Sequence, residues 1–129
     1  MSVAAKTVLV VEDNALNMKL FTDLIGAIGH RAIESRDGRD VAELARAQRP
    51  DLILMDVKLP GISGLEITQR LKADPATAAI PVLAVTAFAS AADEAKIRAA
   101  GCDGYLSKPI AVKEFLETVR RFLEPPGAT

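Results

Sequence analysis

Short apolar segments alternate with helical patterns five times along this chain of 129 residues. One of the apolar segments, Leu52–Asp56, carries no polar residue until its last position. A strand of this kind is covered on both faces, as in a parallel sheet that has helices on either side. The predicted strands are Thr7–Glu12, Arg31–Ser35, Leu52–Asp56, Pro81–Thr86 and Gly104–Ser107, and the predicted helices are Ala15–Ile28, Asp37–Gln48, Ser63–Ala73, Ser90–Ala100 and Val112–Leu123.

The alternation predicts an α/β fold, specifically a flavodoxin-like five-stranded parallel sheet of order 2-1-3-4-5 with five helices on its two faces. Strands 1 and 3 are adjacent in this order, and ligands bind beyond the carboxyl ends of the strands at that point. We expect one domain with its core at about residues 6–123, followed by a short disordered tail at 124–129.

Composition excludes several classes of protein. A formal net charge of −1 without a basic cluster argues against nucleic-acid binding. No apolar run approaches the ~20 residues that span a bilayer, and the N-terminus lacks signal-peptide features. The single cysteine, Cys102, is expected to be a buried or half-buried thiol in a reducing, cytoplasmic compartment. The single histidine, His30, is expected to be a solvated loop residue.

Three acidic residues follow or end the two central strands: Glu12, Asp13 and Asp56. Carboxylates at adjacent strand ends repel one another unless a divalent cation or a proton lies between them. We expect Mg²⁺ or Mn²⁺, with Asp13 and Asp56 as direct ligands, the Lys58 backbone carbonyl as a third ligand, and Glu12 holding a metal-bound water. Asp13 and Asn14 also precede the first helix, so a helix-capping role is compatible with the metal site.

A phosphoryl-accepting site would use these residues together with others at strand ends. Asp56 is the candidate nucleophile, which would form an acyl phosphate. Lys108 is the candidate counter-charge, and the Thr86 hydroxyl can donate to a phosphate oxygen. Tyr105 is expected in the core with its hydroxyl at the rim. The Lys108–Pro109 bond is a candidate for a cis peptide.

These motifs resemble those of response regulator receiver domains, and the match extends over essentially the whole chain. The residues that carry the resemblance are Val10–Asn14, Met55–Asp56, Leu59–Pro60, Gly64, Val85–Ala87 and Ser107–Pro109. A further likeness to single-domain regulators of the cell cycle and of development lies in Asn17–Phe21, Ile62–Glu66 and Ala84–Ala89. Receiver modules of hybrid histidine kinases have similar first helices.

The resemblance implies a phosphorelay in which a histidine kinase or phosphotransfer protein phosphorylates Asp56. It implies that Thr86 then turns toward the phosphoryl group, that Tyr105 follows, and that the surface of helix 4, strand 5 and helix 5 binds kinase-like or regulatory partners. The first helix and the loop after Lys108 would receive the phosphodonor. Because the tail is too short for an output domain, output by protein contact is expected.

The resemblance also singles out two positions for phosphoryl lifetime, Lys58 and Phe88. Neither residue supplies a carboxylate or amide to orient water, so we expect slow self-dephosphorylation and no enzyme activity beyond the domain's own phosphoryl chemistry.

Three alternatives remain at this point. A receiver module excised from a hybrid histidine kinase would have the same motifs; Met1 and the short tail argue against it, although engineered ends would look the same. A metal-dependent phosphohydrolase would need a second Asp where this chain has Lys58. A flavin-binding flavodoxin would need a Ser/Thr/Gly-rich phosphate loop after strand 1, where this chain has acids.

Overall fold

A five-stranded parallel sheet forms the centre of the computed structural model, which describes residues 4–87 and 90–124. Its strands are β1 (Thr7–Val11), β2 (Arg31–Ser35), β3 (Leu52–Asp56), β4 (Val82–Thr86) and β5 (Gly104–Ser107). Every neighbouring pair is parallel, and the strand order is 2-1-3-4-5. The predicted fold class and strand order are therefore confirmed.

Helices cover both faces of the sheet, which explains why all five residues of β3 are buried. The helices are α1 (Ala15–Ala27), α2 (Val41–Gln48), α3 (Gly64–Ala73), α4 (Ala91–Ala99) and α5 (Val112–Leu123). α1 and α5 pack on one face, where the Phe21 and Phe115 rings stack with centroids 5.3 Å apart. α2, α3 and α4 pack on the other face, where Ile67 and Ile97 are buried.

The start of α2 differs from the prediction, which placed it at Asp37-Gly38. The helix begins at Val41, because Gly38 takes a left-handed backbone with φ of +81°. A Cβ at Gly38 would lie 2.6 Å from Cδ1 of Ile67, so the glycine lets the preceding loop press against α3. Because the left-handed Gly38 belongs to this loop, helical backbone geometry can start only after it.

His30 is not a solvated loop residue, and that prediction is wrong. Its side chain is 2% exposed. Nδ1 accepts the backbone N–H of Lys6 at 3.0 Å, so the ring hydrogen is assigned to Nε2, which lies 3.0 Å from Oε2 of Glu124. The ring thus connects the residue before β1 with the residue after α5.

Leu59-Pro60-Gly61 lies in a small antiparallel hairpin of two-residue strands, Lys58–Leu59 and Ile62–Ser63. This hairpin follows β3 directly and places Lys58 beside the end of that strand. Cys102 is buried and unpaired, as expected. Within the described ranges, none of the helices has the length and apolar character required to cross a membrane.

Candidate functional site

The carboxyl ends of four strands meet along one edge of the sheet. Val11 is in register with Met55, so Glu12 and Asp56 extend the ends of the adjacent strands β1 and β3. Thr86 ends β4 beside β5, and the backbone N–H of Lys108 donates to the Thr86 carbonyl at 2.7 Å. The topology alone therefore brings together residues that are far apart in the sequence.

Three carboxylates cluster at this edge. Glu12, Asp13 and Asp56 each offer an oxygen, and these atoms all lie within 4.8 Å of one another. Glu12 and Asp56 are 1% and 3% exposed, whereas Asp13 is exposed. Two buried acids beside a solvent-accessible acid form a site that a cation enters from one side. Such oxygen donors suit Mg²⁺ or Mn²⁺.

One lysine supplies the positive charge in this cluster. The Lys108 ammonium lies 3.3 Å from Oδ2 of Asp56 and 3.4 Å from Oε1 of Glu12. The other Asp56 oxygen, Oδ1, accepts the backbone N–H of Lys58 at 3.2 Å. When ionised, three carboxylates and one ammonium leave an excess of two negative charges. A single divalent cation neutralises that excess, so the charge of the cluster fits the predicted metal.

Glu12 provides independent support for this fit. Its Oε2 accepts the backbone N–H of Asn14 at 3.1 Å, whereas its buried Oε1 has the ion pair with Lys108 at 3.4 Å but no hydrogen bond among the described residues. Burial is the main reason why the pKa of the Glu12 carboxyl rises to about 7, followed by the neighbouring Asp56 carboxyl. A buried oxygen that has an ion pair to Lys108 but no hydrogen bond suits the predicted role of holding a metal-bound water.

The other predicted residues also lie at or near this edge. Thr86 is buried and lines a cleft of about 400 Å³, together with the acids and Lys108. Lys58 lines the same cleft, and its carbonyl as a metal ligand stays a prediction. The Lys108–Pro109 bond is cis. Phe88 and the predicted tail beyond residue 124 lie outside the described residues.

Two residues on or near the site were not predicted from the sequence. Asn17 lines the cleft from the first turn of α1, and its spacing of three residues from the helix cap Asn14 was the available signal. The second is Glu94, whose Oε2 accepts a hydrogen bond from the hydroxyl of Tyr105 at 3.4 Å; Tyr105 itself is half-buried and packs against the core. No sequence signal distinguished Glu94 from other exposed helical acids.

A family model of the response regulator receiver domain matches residues 8–120. The chain belongs to this family. The receiver-domain resemblance of its motifs is thereby confirmed.

Curated relatives of this receiver domain match it over most of its length. The polar-differentiation response regulator DivK of Brucella anthropi is 56% identical over 118 residues, which cover 92% of this chain and 96% of that protein. The protein of the same name in Brucella ovis is 55% identical over the same number of residues and the same shares of both chains.

Solved receiver structures superpose closely on it. Chemotaxis response regulator CheY4 of Vibrio cholerae has a TM-score of 0.87 at 26% identity, covering 93% of this chain and 100% of that one. The receiver domain of sensor histidine kinase PA1611 from Pseudomonas aeruginosa has a TM-score of 0.84 at 32% identity, covering 93% and 98%. That structure is described with a magnesium ion coordinated in its active site cleft.

The raised pKa of Glu12 predicts that metal binding by this receiver domain depends on pH. Because the pKa of about 7 lies above the ordinary value of 4.5, Glu12 is mostly protonated at pH 6 in the metal-free protein, and the cation must displace that proton. We expect the apparent Mg²⁺ affinity to rise about tenfold from pH 6 to pH 8. Calorimetric titration at both pH values measures it. Glu12→Gln should flatten the dependence, and an equally steep one in that variant would assign it to another group.

Gly64 lies against the end of the strand that carries Asp56. A Cβ at Gly64 would lie 2.1 Å from the backbone oxygen of Asp56, far inside van der Waals contact. We expect Gly64→Ala to lower the free energy of unfolding by about 1–3 kcal/mol and to displace Asp56. Gly26→Ala is the matched control, because a Cβ there meets nothing within 4 Å. Urea unfolding of both variants measures the difference, and equal stabilities would contradict the steric argument.

Proposed function

We propose that the chain is a response regulator that accepts a phosphoryl group on Asp56 and signals by protein contact. The observation that supports this function is the placement of a buried Asp56 carboxylate between Lys108 and two further acids that fit a divalent cation. The phosphodonor is the phosphohistidine of a histidine kinase or phosphotransfer protein. The cation is Mg²⁺ or Mn²⁺, in keeping with the magnesium described for the PA1611 receiver domain.

The transfer is an in-line displacement at phosphorus. An Asp56 carboxylate oxygen forms a bond to phosphorus while the bond from phosphorus to the donor's imidazole nitrogen breaks, and the imidazole leaves with the bonding electron pair. The cation supplies charge neutralisation when the phosphoryl oxygens approach the acids. The Lys108 ammonium moves from Asp56 toward a phosphoryl oxygen, and the Thr86 hydroxyl donates to another one.

The donor docks on α1 and on the start of α5, where large apolar side chains are exposed. Leu16 and Leu20 of α1 are 80% and 37% exposed, and Val112 at the start of α5 is 46% exposed. Large apolar side chains at this exposure suit burial against the helices of a donor protein. These exposed residues support a docking site on the first helix and the loop after Lys108.

Phosphorylation changes the output face formed by α4, β5 and α5. Tyr105 of β5 is the side chain expected to follow Thr86, and the partners of this face are kinase-like or regulatory proteins. The proposed setting is cytoplasmic control of the cell cycle or of development, because the Brucella relatives are named polar-differentiation response regulators. Slow self-dephosphorylation is part of the proposal, since Lys58 offers no carboxylate or amide to orient water.

The test is incorporation of phosphoryl groups from acetyl phosphate, measured by intact mass with Mg²⁺ and with EDTA. A gain of one phosphoryl group that requires the cation is expected. Incorporation that is equal in EDTA would overturn the metal-dependent mechanism. Absence of incorporation from both acetyl phosphate and a phosphorylated histidine phosphotransfer domain would overturn the proposed function.

A further inference from the structure

Helix α4 has few attachments to the rest of the molecule. Ile97 is the only buried residue of the nine in the helix. A helix with one buried anchor shifts at lower energetic cost than one with a continuous apolar stripe. Any polar contact that ties α4 to the sheet therefore carries unusual weight in setting its position.

The Tyr105 hydroxyl makes such a contact. It donates to Oε2 of Glu94 in α4 at 3.4 Å, so the hydrogen bond joins strand β5 to the helix that lies over it. Nε and Nη2 of Arg98, one turn further along α4, donate to the other Glu94 oxygen at 3.2 and 3.1 Å. Arg98 thereby holds the carboxylate with Oε2 directed toward the tyrosine. The Glu94 carboxylate is therefore held in an orientation that suits the tyrosine hydroxyl.

The tyrosine ring lies next to the strand that carries Thr86. Tyr105 is in register with Ala84, and alternate residues of a strand point to the same face, so Ala84 and Thr86 share that face. Tyr105 packs against the buried cluster to which Ala84 and Ile97 belong. Movement of Thr86 toward a phosphoryl group would therefore open space beside the ring, on the face that α4 covers.

We propose that Glu94 is a positioning residue for the conformational change that follows phosphorylation. It holds the Tyr105 hydroxyl against α4 in the resting protein, and the hydroxyl leaves Glu94 when Asp56 is phosphorylated. This inference rests on the proposed function. Glu94 opposes the phosphorylated state because the hydrogen bond is made only while the ring lies against α4. A contact that forms in only one of two conformations shifts the equilibrium between them.

The expected size of the effect follows from the contact. The Glu94 side chain is 37% exposed and the bond is long, which places it at the weak end of charged hydrogen bonds. Its removal should move the ratio of resting to active conformations about two- to fivefold toward the active one. The rate of phosphoryl acceptance from acetyl phosphate should rise by the same factor, because the active conformation is the one that contacts the phosphoryl group.

Tyrosine fluorescence tests the contact directly. The chain contains one tyrosine and no tryptophan, so its emission reports on Tyr105 alone. A carboxylate that accepts a phenol hydrogen bond quenches this emission by accepting the proton in the excited state. We expect Glu94→Ala to raise the emission of the unphosphorylated protein. Glu43→Ala is the matched control, because Glu43 is also an acid in the first turn of its helix, α2.

Two further variants separate positioning from general helix stability. Glu94→Gln keeps an acceptor for the hydroxyl, so its phosphoryl acceptance rate should stay near the wild-type value while Glu94→Ala is faster. Arg98→Ala leaves the carboxylate without its support, so its emission should fall between those of the wild type and Glu94→Ala. Equal rates of phosphoryl acceptance in Glu94→Gln and Glu94→Ala would mean that Glu94 acts only as a surface charge, and they would overturn the proposal.

The wild type is then compared before and after phosphorylation with acetyl phosphate and Mg²⁺, with incorporation followed by mass. Emission that rises toward the Glu94→Ala value supports release of the tyrosine. If the emission stays quenched although the protein gains the full mass of one phosphoryl group, the proposed role of Glu94 is overturned and the proposed function is not. Absence of any mass gain, from acetyl phosphate or a phosphohistidine donor, overturns the proposed function and the switch with it. Unchanged emission in unphosphorylated Glu94→Ala overturns the contact itself.

Discussion

Replacing Asp56 by asparagine is expected to abolish phosphoryl incorporation while leaving the fold intact. The amide has nearly the same shape as the carboxylate but has no anionic oxygen to attack phosphorus. Asp56 is also one reason why the pKa of Glu12 is raised, so its replacement removes a repulsion between buried acids. At pH 8 without metal, we therefore expect Asp56→Asn to be as stable as the wild type or more stable by about 1 kcal/mol.

Intact mass after incubation with acetyl phosphate and Mg²⁺ measures the first effect, and urea unfolding in EDTA measures the second. Asp23→Asn is the control, since this acid lies on the surface with 63% of its side chain exposed and, among the residues that the structure describes, pairs with Lys19 alone. The control should incorporate one phosphoryl group at the wild-type rate. A phosphoryl group on Asp56→Asn would place the acceptor at another residue.

Replacing Lys108 by methionine is expected to slow phosphoryl acceptance about 10²- to 10³-fold, the cost of losing one prearranged donor to the transferring group. Methionine keeps much of the length of lysine but none of its charge. The Asp56 and Glu12 carboxylates, now 3.3 and 3.4 Å from the ammonium, would lose this shared counter-charge. The free energy of unfolding at pH 8 without metal should fall by about 1–3 kcal/mol.

Initial rates of phosphoryl incorporation and urea unfolding in EDTA and in Mg²⁺ measure these effects. Mg²⁺ should recover more stability in Lys108→Met than in the wild type, because the cation replaces the missing positive charge. Lys113→Met, on an exposed position of α5, is the control for loss of a lysine. A variant that accepts phosphoryl groups as fast as the wild type would remove Lys108 from the reaction.

The fold was predictable because its signals are local and repeated. An apolar Leu52–Asp56 strand and amphipathic helices suffice to predict a doubly covered parallel sheet, and strand order then brings Glu12 and Asp56 together. The error at the start of α2 had a different origin. Asp37-Gly38 is a reasonable helix-start sequence, but close packing of Gly38 against Ile67 decides its backbone.

The parts of the site that sequence reasoning missed depend on tertiary contacts. The Glu12 oxygen without a hydrogen bond and the raised pKa of this carboxyl arise from burial among neighbours that composition does not reveal. Glu94 is one of several acids on exposed helix faces, and only the position of Tyr105 distinguishes it. His30 was predicted to be solvated because it follows the glycine that ends a helix. In the structure its ring contacts Lys6 and Glu124, which lie near the two ends of the described chain.

The burial of His30 has a practical consequence for labelling experiments. It is the only histidine, its side chain is 2% exposed, and both ring nitrogens are engaged, so the chain offers no imidazole to a phosphoryl donor. Acyl phosphates are cleaved by hydroxylamine and by alkali, whereas phosphohistidine survives alkali. Radiolabel carried by this chain should therefore be completely hydroxylamine-labile. Any alkali-stable label in a transfer reaction measures the donor that remains in the sample.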